Sequence, residues 1–322
     1  MIISLPRNKM IATIITISLI IVVIPNIAQT EDDENVFEPF TQAQMNVIVG
    51  NVQRPNGIVW YDDNLYTACN GDWTLYEIDS VTGETRTYIQ GIRNAHMLVA
   101  EQTENERLNL WMPDYDQNAF LFVNQSGAPR IIASDLEGPW GIAPLEDEFL
   151  ITNLLGNTLV NISRDGELTE ILDNLRAPTG IAIDGEFVYV ANNGSSRRSI
   201  EWFGVDEIDI EHPDSMSIEL QPLVSGLQNT TGVVMAEDGY LYFTFALGTR
   251  GVVGRVDPVL CQENGGCTND EIEIIVYTEL PAPLAGLAIS PDMRLFVHSI
   301  YRPEIYWVQL DAPLVEDEEN VG

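Results

Sequence analysis

The chain has 322 residues and a formal net charge of −34, with 49 Asp and Glu against 15 Lys and Arg. Nucleic acids and anionic membranes are held by Lys/Arg patches, so a surface of this sign excludes both as expected partners. Lys9 is the sole lysine; a chain processed beyond it has no lysine to act as a Schiff base or general base.

Arg7 and Lys9 precede an unbroken run of apolar and small residues, 10–24, halted by Pro25. At roughly 15 residues the run is short for a bilayer span and suits the core of a signal peptide. Residues 1–28 are expected to be a signal peptide, or an anchor if uncleaved; only in the second case would a membrane be involved. Either way the remainder is exported, to the periplasm, the cell surface or the medium. Residues 29–40 contain EDDEN, which has nothing to bury and reads as an acidic linker.

From there on, Val, Ile, Tyr, Phe and Thr cluster in short runs broken by Gly, Pro, Asn and Asp, the pattern of strands and turns rather than helices. A paragraph of sequence recurs. A turn, usually with Pro and Gly, leads into an inner strand starting near Gly57, Met97, Gly141, Gly180, Gly232 and Gly286. Subtracting successive positions gives intervals of 40, 44, 39, 52 and 54. The two long intervals hold insertions, an acidic loop at 206–215 and the CQENGGC loop from Cys261 to Cys267. Strand-like runs at 45–49, 85–89, 130–133, 168–172, 218–224 and 274–277 precede the inner strands as outer strands. Six units of four short strands predict an all-β, six-bladed β-propeller over 41–311, followed by an acidic tail, 312–322. The sixth unit offers only three strands of its own, near 285–290, 294–299 and 304–310. The strand at 45–49 is therefore expected to close the ring as the outermost strand of the last blade, removing an open edge. A monomer is expected.

Three cysteines are present. Cys261 and Cys267 bracket a Gly-rich loop able to fold back, and in an oxidising compartment a local disulfide is the expected outcome. Cys69 ends an apolar strand and reads as a buried, inert thiol.

The segments PNGIVWYDDNLYTAC, PWGIAPLEDEFLITN, PTGIAIDGEFVYVAN, TTGVVMAEDGYLYFT and LAGLAISPDMRLFVH resemble six-bladed propellers of the group containing streptogramin lyases, NHL-repeat proteins and the senescence-marker/gluconolactonase family. The resemblance spans nearly all of 45–310 and is specific for architecture, because this scaffold hosts lactonases, lyases and binding proteins. In the gluconolactonase family a divalent metal sits on the axis, held by a Glu from an EGPxW-type motif and by Asn and Asp near inner-strand ends. Glu137-Gly138-Pro139-Trp140 is similar to that motif, in the third unit rather than the first. Streptogramin lyases use a His base with a nearby Glu and Mg²⁺; no match to that local pattern stands out among the three His residues here.

In a propeller, strand polarity brings the starts of inner strands and the ends of second strands to one mouth of the axis. Candidates before the inner strands are Arg54, Asn56, His96, Glu137, Trp140 and Arg176; at the second-strand ends they are Asp114, Asn153, Asn192 and His298. Glu137, Asn153, Asn192 and Asp114 make an all-oxygen set suited to Ca²⁺ or Mg²⁺, unless their side chains cap the local backbone, as Asn and Asp do in turns. His96 departs from the repeat, where Asn94-Ala95-His96-Met97 lacks the usual Gly, and is a candidate general base; Glu137 is the second catalytic candidate. Arg54, Asn56, Trp140, Arg176 and His298 are candidate ligand contacts. Two functions follow: metal-assisted hydrolysis or elimination on a lactone or ester, with the cation polarising a carbonyl, or a non-catalytic propeller presenting its rim to a small molecule or an extracellular partner.

Overall fold

The computed structural model describes residues 37–103, 107–125, 127–194 and 197–310. The expected leader, most of the linker and the acidic tail lie outside them. Six sheets account for nearly all of the rest. Blade 1 comprises Pro55–Tyr61, Asn64–Cys69, Thr74–Asp79 and Thr85–Gln90; blade 2, Val99–Gln102, Leu108–Asp114, Ala119–Asn124 and Arg130–Ala133; blade 3, Pro139–Leu145, Glu148–Asn153, Thr158–Ile162 and Leu168–Leu172. Blade 4 comprises Pro178–Ile183, Phe187–Asn192, Ser199–Gly204 and Gln221–Ser225; blade 5, Val233–Met235, Leu241–Leu247, Arg250–Val256 and Glu273–Pro281. Blade 6 has Leu284–Ile289, Arg294–Ser299 and Ile305–Gln309, and its outermost strand is Asn46–Val49. That strand runs antiparallel to Ile305–Gln309 with Asn46 opposite Trp307 and Val49 opposite Ile305. The protein is a six-bladed β-propeller closed by its N-terminal strand, as the repeat count requires.

Two further pairings cover outer edges. Phe40–Thr41 lies parallel to the outer strand of blade 5. Cys267–Thr268, from the insertion in blade 5, lies parallel to the outer strand of blade 4. The expected disulfide Cys261–Cys267 is present, and Asp257 caps the short helix Pro258–Glu263 by accepting from the Leu260 N–H at 3.1 Å. The acidic insertion in blade 4 is not a free loop. Its Ile208 and the adjoining Met216 pack, partly buried, on the core between blades 3 and 4.

Alternate residues of a strand point to opposite faces, so each blade feeds two interfaces. Leu65 and Cys69 face blade 6, while Tyr66 and Ala68 of the same strand face blade 2. The result is six apolar clusters, one per blade interface. Between blades 2 and 3, Phe120 and Phe149 are fully buried with ring centroids 5.3 Å apart; burying each such ring contributes about 2 kcal/mol. Cys69 is buried, and burial pushes its thiol up to about 12, which makes it inert as a nucleophile.

The recurrent glycine near each inner-strand start has a steric cause. A Cβ on Gly141 would lie 2.3 Å from the Thr179 carbonyl of the next blade, and one on Gly286 would lie 2.4 Å from Ile58. Inner strands thus converge until backbone meets backbone. The pairing between inner and second strands slips at the same place in blades 1, 3, 4 and 6, a bulge that aims the side chain before the glycine toward the axis. Blade 2 has Met97 where the others have glycine. There the inner strand bridges only through Ala95 and Asp114 before regular pairing begins at Val99.

Candidate functional site

The inner strands all run the same way, so the axis has two unlike mouths. At the mouth where they start, the residue before the recurrent glycine is Asn56 in blade 1, Trp140 in blade 3, Thr179 in blade 4 and Thr231 in blade 5. Blade 2 contributes His96. Blade 6 contributes His298, which faces the bulge from the second strand at the position held by Thr152 in blade 3 and Thr244 in blade 5. Those threonines accept hydrogen bonds from the bulge glycines, Gly141 N–H at 2.8 Å and Gly232 N–H at 2.9 Å. In blade 6 the larger imidazole lies beneath Gly286, with Nε2 2.5 Å from where a Cβ would stand.

One side of this layer is saturated. Thr179 Oγ1 donates to the Thr230 carbonyl at 2.7 Å, Thr231 Oγ1 to the Leu284 carbonyl at 2.5 Å, and Asn193 Nδ2 to Thr179 Oγ1 at 2.9 Å; the Thr230 hydroxyl is the exception. The other side is not. Asn56 Nδ2 donates to Asn94 Oδ1 at 2.5 Å, but Asn56 Oδ1 is buried with no partner. The His96 ring stacks on the Trp140 indole with centroids 3.4 Å apart and planes 5° from parallel. Tyr115 meets both edge-on, at 5.9 and 6.1 Å. His96 Nδ1 and Trp140 Nε1 are also buried without a partner, and the ring nitrogens of His298 lie against the Asn56 and Ser299 backbone without a well-directed hydrogen bond. Burial pushes His96 down to about 3, with His298 nearby adding to the effect. Burial likewise brings His298 down to about 4, opposed by the adjoining backbone at Asn56 and Ser299. Both imidazoles are neutral at physiological pH, each with one donor and one acceptor nitrogen.

The structure brings His96, Trp140, Asn56 and His298 together, and it handles the other candidates differently. Asp114, Asn153 and Asn192 occupy one repeated position and perform one task, accepting the backbone N–H of a blade connector. Asp114 Oδ2 takes Arg93 N–H at 2.7 Å, Asn153 Oδ1 takes Glu137 N–H at 3.3 Å and Asn192 Oδ1 takes Arg176 N–H at 2.9 Å. Asn192 Nδ2 donates to Glu201 at 2.6 Å, and Asp114 also accepts from Gln117. Glu137 is exposed, its carboxylate lying over the 153–156 turn near Gly156. Arg54 and Arg176 are exposed at the rim, and Arg176 Nη1 donates to the Leu175 carbonyl at 2.6 Å. Among the described residues no three His, Cys, Asp or Glu side chains gather as a metal site. A hard divalent cation selects several oxygens, carboxylates above all. The unpartnered atoms of Asn56, His96, Trp140 and His298 are four nitrogens and one amide oxygen, a donor set that does not fit Ca²⁺ or Mg²⁺. Tyr115 is a member of the cluster that sequence reasoning did not select. Its only signal was an aromatic inside the carboxylate turn of WMPDYD.

Beyond His96 the axis opens into a cavity of about 250 Å³ lined from all six blades, its side chains mostly aliphatic, such as Ile58, Met97, Ile142, Ile181, Val234 and Leu287, with polar backbone between them.

No protein-family model matches the sequence, and no curated protein matches it. The fold is similar to solved propellers. A gluconolactonase from Xanthomonas campestris matches with a TM-score of 0.63 at 13% identity, over 83% of this chain and 89% of that one. Regucalcin from Agrobacterium tumefaciens, described as a calcium-binding protein, matches at 0.61 and 14%, over 86% and 97%. A streptogramin B lyase matches at 0.59 and 15%, over 83% and 97%. At these identities the likeness establishes the propeller architecture, shared with gluconolactonase, regucalcin and streptogramin lyase structures.

Proposed function

We propose that this protein is an exported, monomeric small-molecule-binding propeller whose ligand occupies the axial mouth formed by Asn56, His96, Trp140 and His298. The observation that supports it most is the set of buried, unpartnered polar atoms from four blades at one point of the axis. Buried polar groups are otherwise almost always hydrogen-bonded, and each orphan carries a desolvation cost that a ligand or ordered water relieves. The set offers the Trp140 N–H as donor, the Asn56 carbonyl as acceptor and two neutral imidazoles able to do either. It suits an uncharged molecule with both hydroxyl and carbonyl groups. Arg54 and Arg176 stand at the rim above it. Export is supported by the leader-like N-terminus and by Cys261–Cys267, since disulfides persist in oxidising compartments.

The test is thermal melting of the full chain against a panel of sugars and sugar lactones. A saturable rise in melting temperature that Asn56→Leu removes is expected. If no compound in the panel shifts the wild-type protein, this reading fails. A second reading, hydrolysis or elimination on a lactone or ester, draws support from the gluconolactonase and lyase structures that share the fold. It would need His96 or His298 as the proton acceptor. Burial opposes the cationic form of both, and neither has a carboxylate hydrogen-bonded to it among the described residues. Metal content and lactone turnover before and after chelation separate the two readings. Turnover that Asn56→Leu and chelation both abolish would favour the enzyme.

A further inference from the structure

The opposite mouth, where the inner strands end, has a different chemistry. Each inner strand turns there into its second strand, and these hairpins carry exposed Asp62, Asp63, Glu146, Asp147, Glu186 and Glu237. None of these six makes an ion pair among the described residues; the neighbouring Asp238 and Asp292 are matched by Arg255 at 3.4 Å and Arg294 at 3.0 Å. Directly behind this rim lies the aliphatic cavity of about 250 Å³. Its lining holds two unpartnered polar groups. One is His96, nine-tenths buried and lacking a partner at Nδ1, and the other is Trp60, whose Nε1 is buried and unpaired.

We propose that this mouth and channel form a second site, bordered like the one at the other end of the axis by His96 but entered from the opposite side, for an amphiphilic organic cation. The apolar chain or ring fills the channel and displaces water from Ile58, Met97, Val234 and Met235. An ammonium or guanidinium head remains at the rim among the carboxylates. Three features select this class. Apolar burial supplies attraction without direction. A ring of like charges above a low-dielectric cleft concentrates the opposite charge. The same ring repels anionic amphiphiles, so fatty acids and sulfonates are selected against rather than merely not favoured. A cavity of about 250 Å³ is smaller than one turn of a helix about 10 Å across, which makes a single chain or ring the occupant.

Isothermal titration of the full chain with octyltrimethylammonium, octane-1-sulfonate and 1-octanol tests this directly, since the three share an apolar chain and differ in head charge. Saturable one-to-one binding of the cation is expected, about tenfold or more tighter than the sulfonate and weakening as salt screens the rim. Met235→Trp, which fills the channel from a half-buried strand end, should abolish binding of cation and alcohol alike. The pair Glu146→Gln and Asp147→Asn sits on an exposed turn; it should reduce the cation's advantage while leaving octanol binding unchanged. Asn56→Leu, at the other mouth, should affect neither. Equal affinity for cation and sulfonate would overturn the proposal. So would cation binding that persists in a folded Met235→Trp protein, or a basic peptide with an apolar anchor binding where the octyl cation does not. Should Met235→Trp fail to fold, the sulfonate comparison and the charge variants decide.

Discussion

The two mouths of one channel, only an inner strand apart, have been given opposite characters. The mouth where the strands start carries Arg54, Arg93, Arg176 and Arg302 interleaved with exposed Asp72, Asp116, Glu137 and Asp173 on its connectors and turns, a stacked His96–Trp140 pair, and buried polar atoms in want of partners. The mouth where they end carries unpaired carboxylates around an aliphatic cavity. The difference follows from what each turn must do. At the first mouth, blades are joined by long connectors whose backbone N–H groups need acceptors, and Asp114, Asn153 and Asn192 supply them. Polar side chains are structural there, and departures from the repeat expose polar atoms to the axis. At the second mouth, tight hairpins satisfy their own backbone, as where Asp184 accepts from Glu186 and Phe187, and the remaining positions are free to take charge.

The largest expected effect breaks both mouths together. Deleting residues 40–49 removes the closing strand of blade 6 and the edge strand of blade 5. We expect a loss of about 5 kcal/mol, or of cooperative melting altogether, followed by denaturant titration; a truncated protein that melts like the full chain would show that closure is unimportant.

The pH dependence of stability sharpens the contrast next. Folded His96 and His298 bind protons at about 3 and about 4 against an ordinary value of 6.5. Between those values the unfolded chain holds more protons, so their contribution is complete above pH 6.5 and is lost as pH falls through the window. At pH 5 the cost should be about 2 kcal/mol for each histidine relative to pH 8. The double variant His96→Gln and His298→Gln should flatten that part of the stability profile. If the variant keeps the wild-type slope, these histidines are not the groups held neutral.

A smaller effect separates the mouths sterically. Gly141→Val places a side chain against the Thr179 carbonyl, 2.3 Å from its Cβ, at the convergence of the inner strands; about 3 kcal/mol should be lost. Gly185→Ala, on an acidic hairpin with φ of 104° and nothing within 4 Å, should lose only about 1 kcal/mol, from the backbone alone. Equal losses at the two sites would mean that the inner strands are not in contact at Gly141. The smallest span is that of the disulfide. Cys261→Ser with Cys267→Ser opens a loop of sequence separation 6 and should cost about 2 kcal/mol, with ligand binding at the Asn56 mouth unchanged in calorimetry.

Much of the fold was legible because its signals are local and repeated. A glycine every few tens of residues, a strand pair after it, a strand left over at the N-terminal end and one missing from the last unit are enough to count blades and to predict closure by 45–49. The candidate site was legible only in part. His96 and Trp140 stand out as departures from the repeat and His298 by its place at a second-strand end, but the role of Asp114, Asn153 and Asn192 turned on which way each oxygen faced. The same residue at the same register can cap a connector or hold an ion, and the connector N–H lies in a different part of the chain. The packing of 205–220 against blades 3 and 4 was hidden for a similar reason. Its Ile208 and Met216 are too sparse, among acidic residues, to announce a buried face.

By itself the sequence determined the all-β class, the number of blades, the closing strand, the disulfide pair and the acidic surface, because periodicity, glycine sterics and charge depend on neighbours along the chain. Tertiary structure alone decided that His96 would stack on Trp140 and that His298 would lie under Gly286. It alone left five polar atoms on one side of the axis without partners and put an aliphatic channel behind a ring of carboxylates. Those facts depend on side chains from different blades meeting at the axis, and the distance between such residues along the chain carries no record of the distance between them in space.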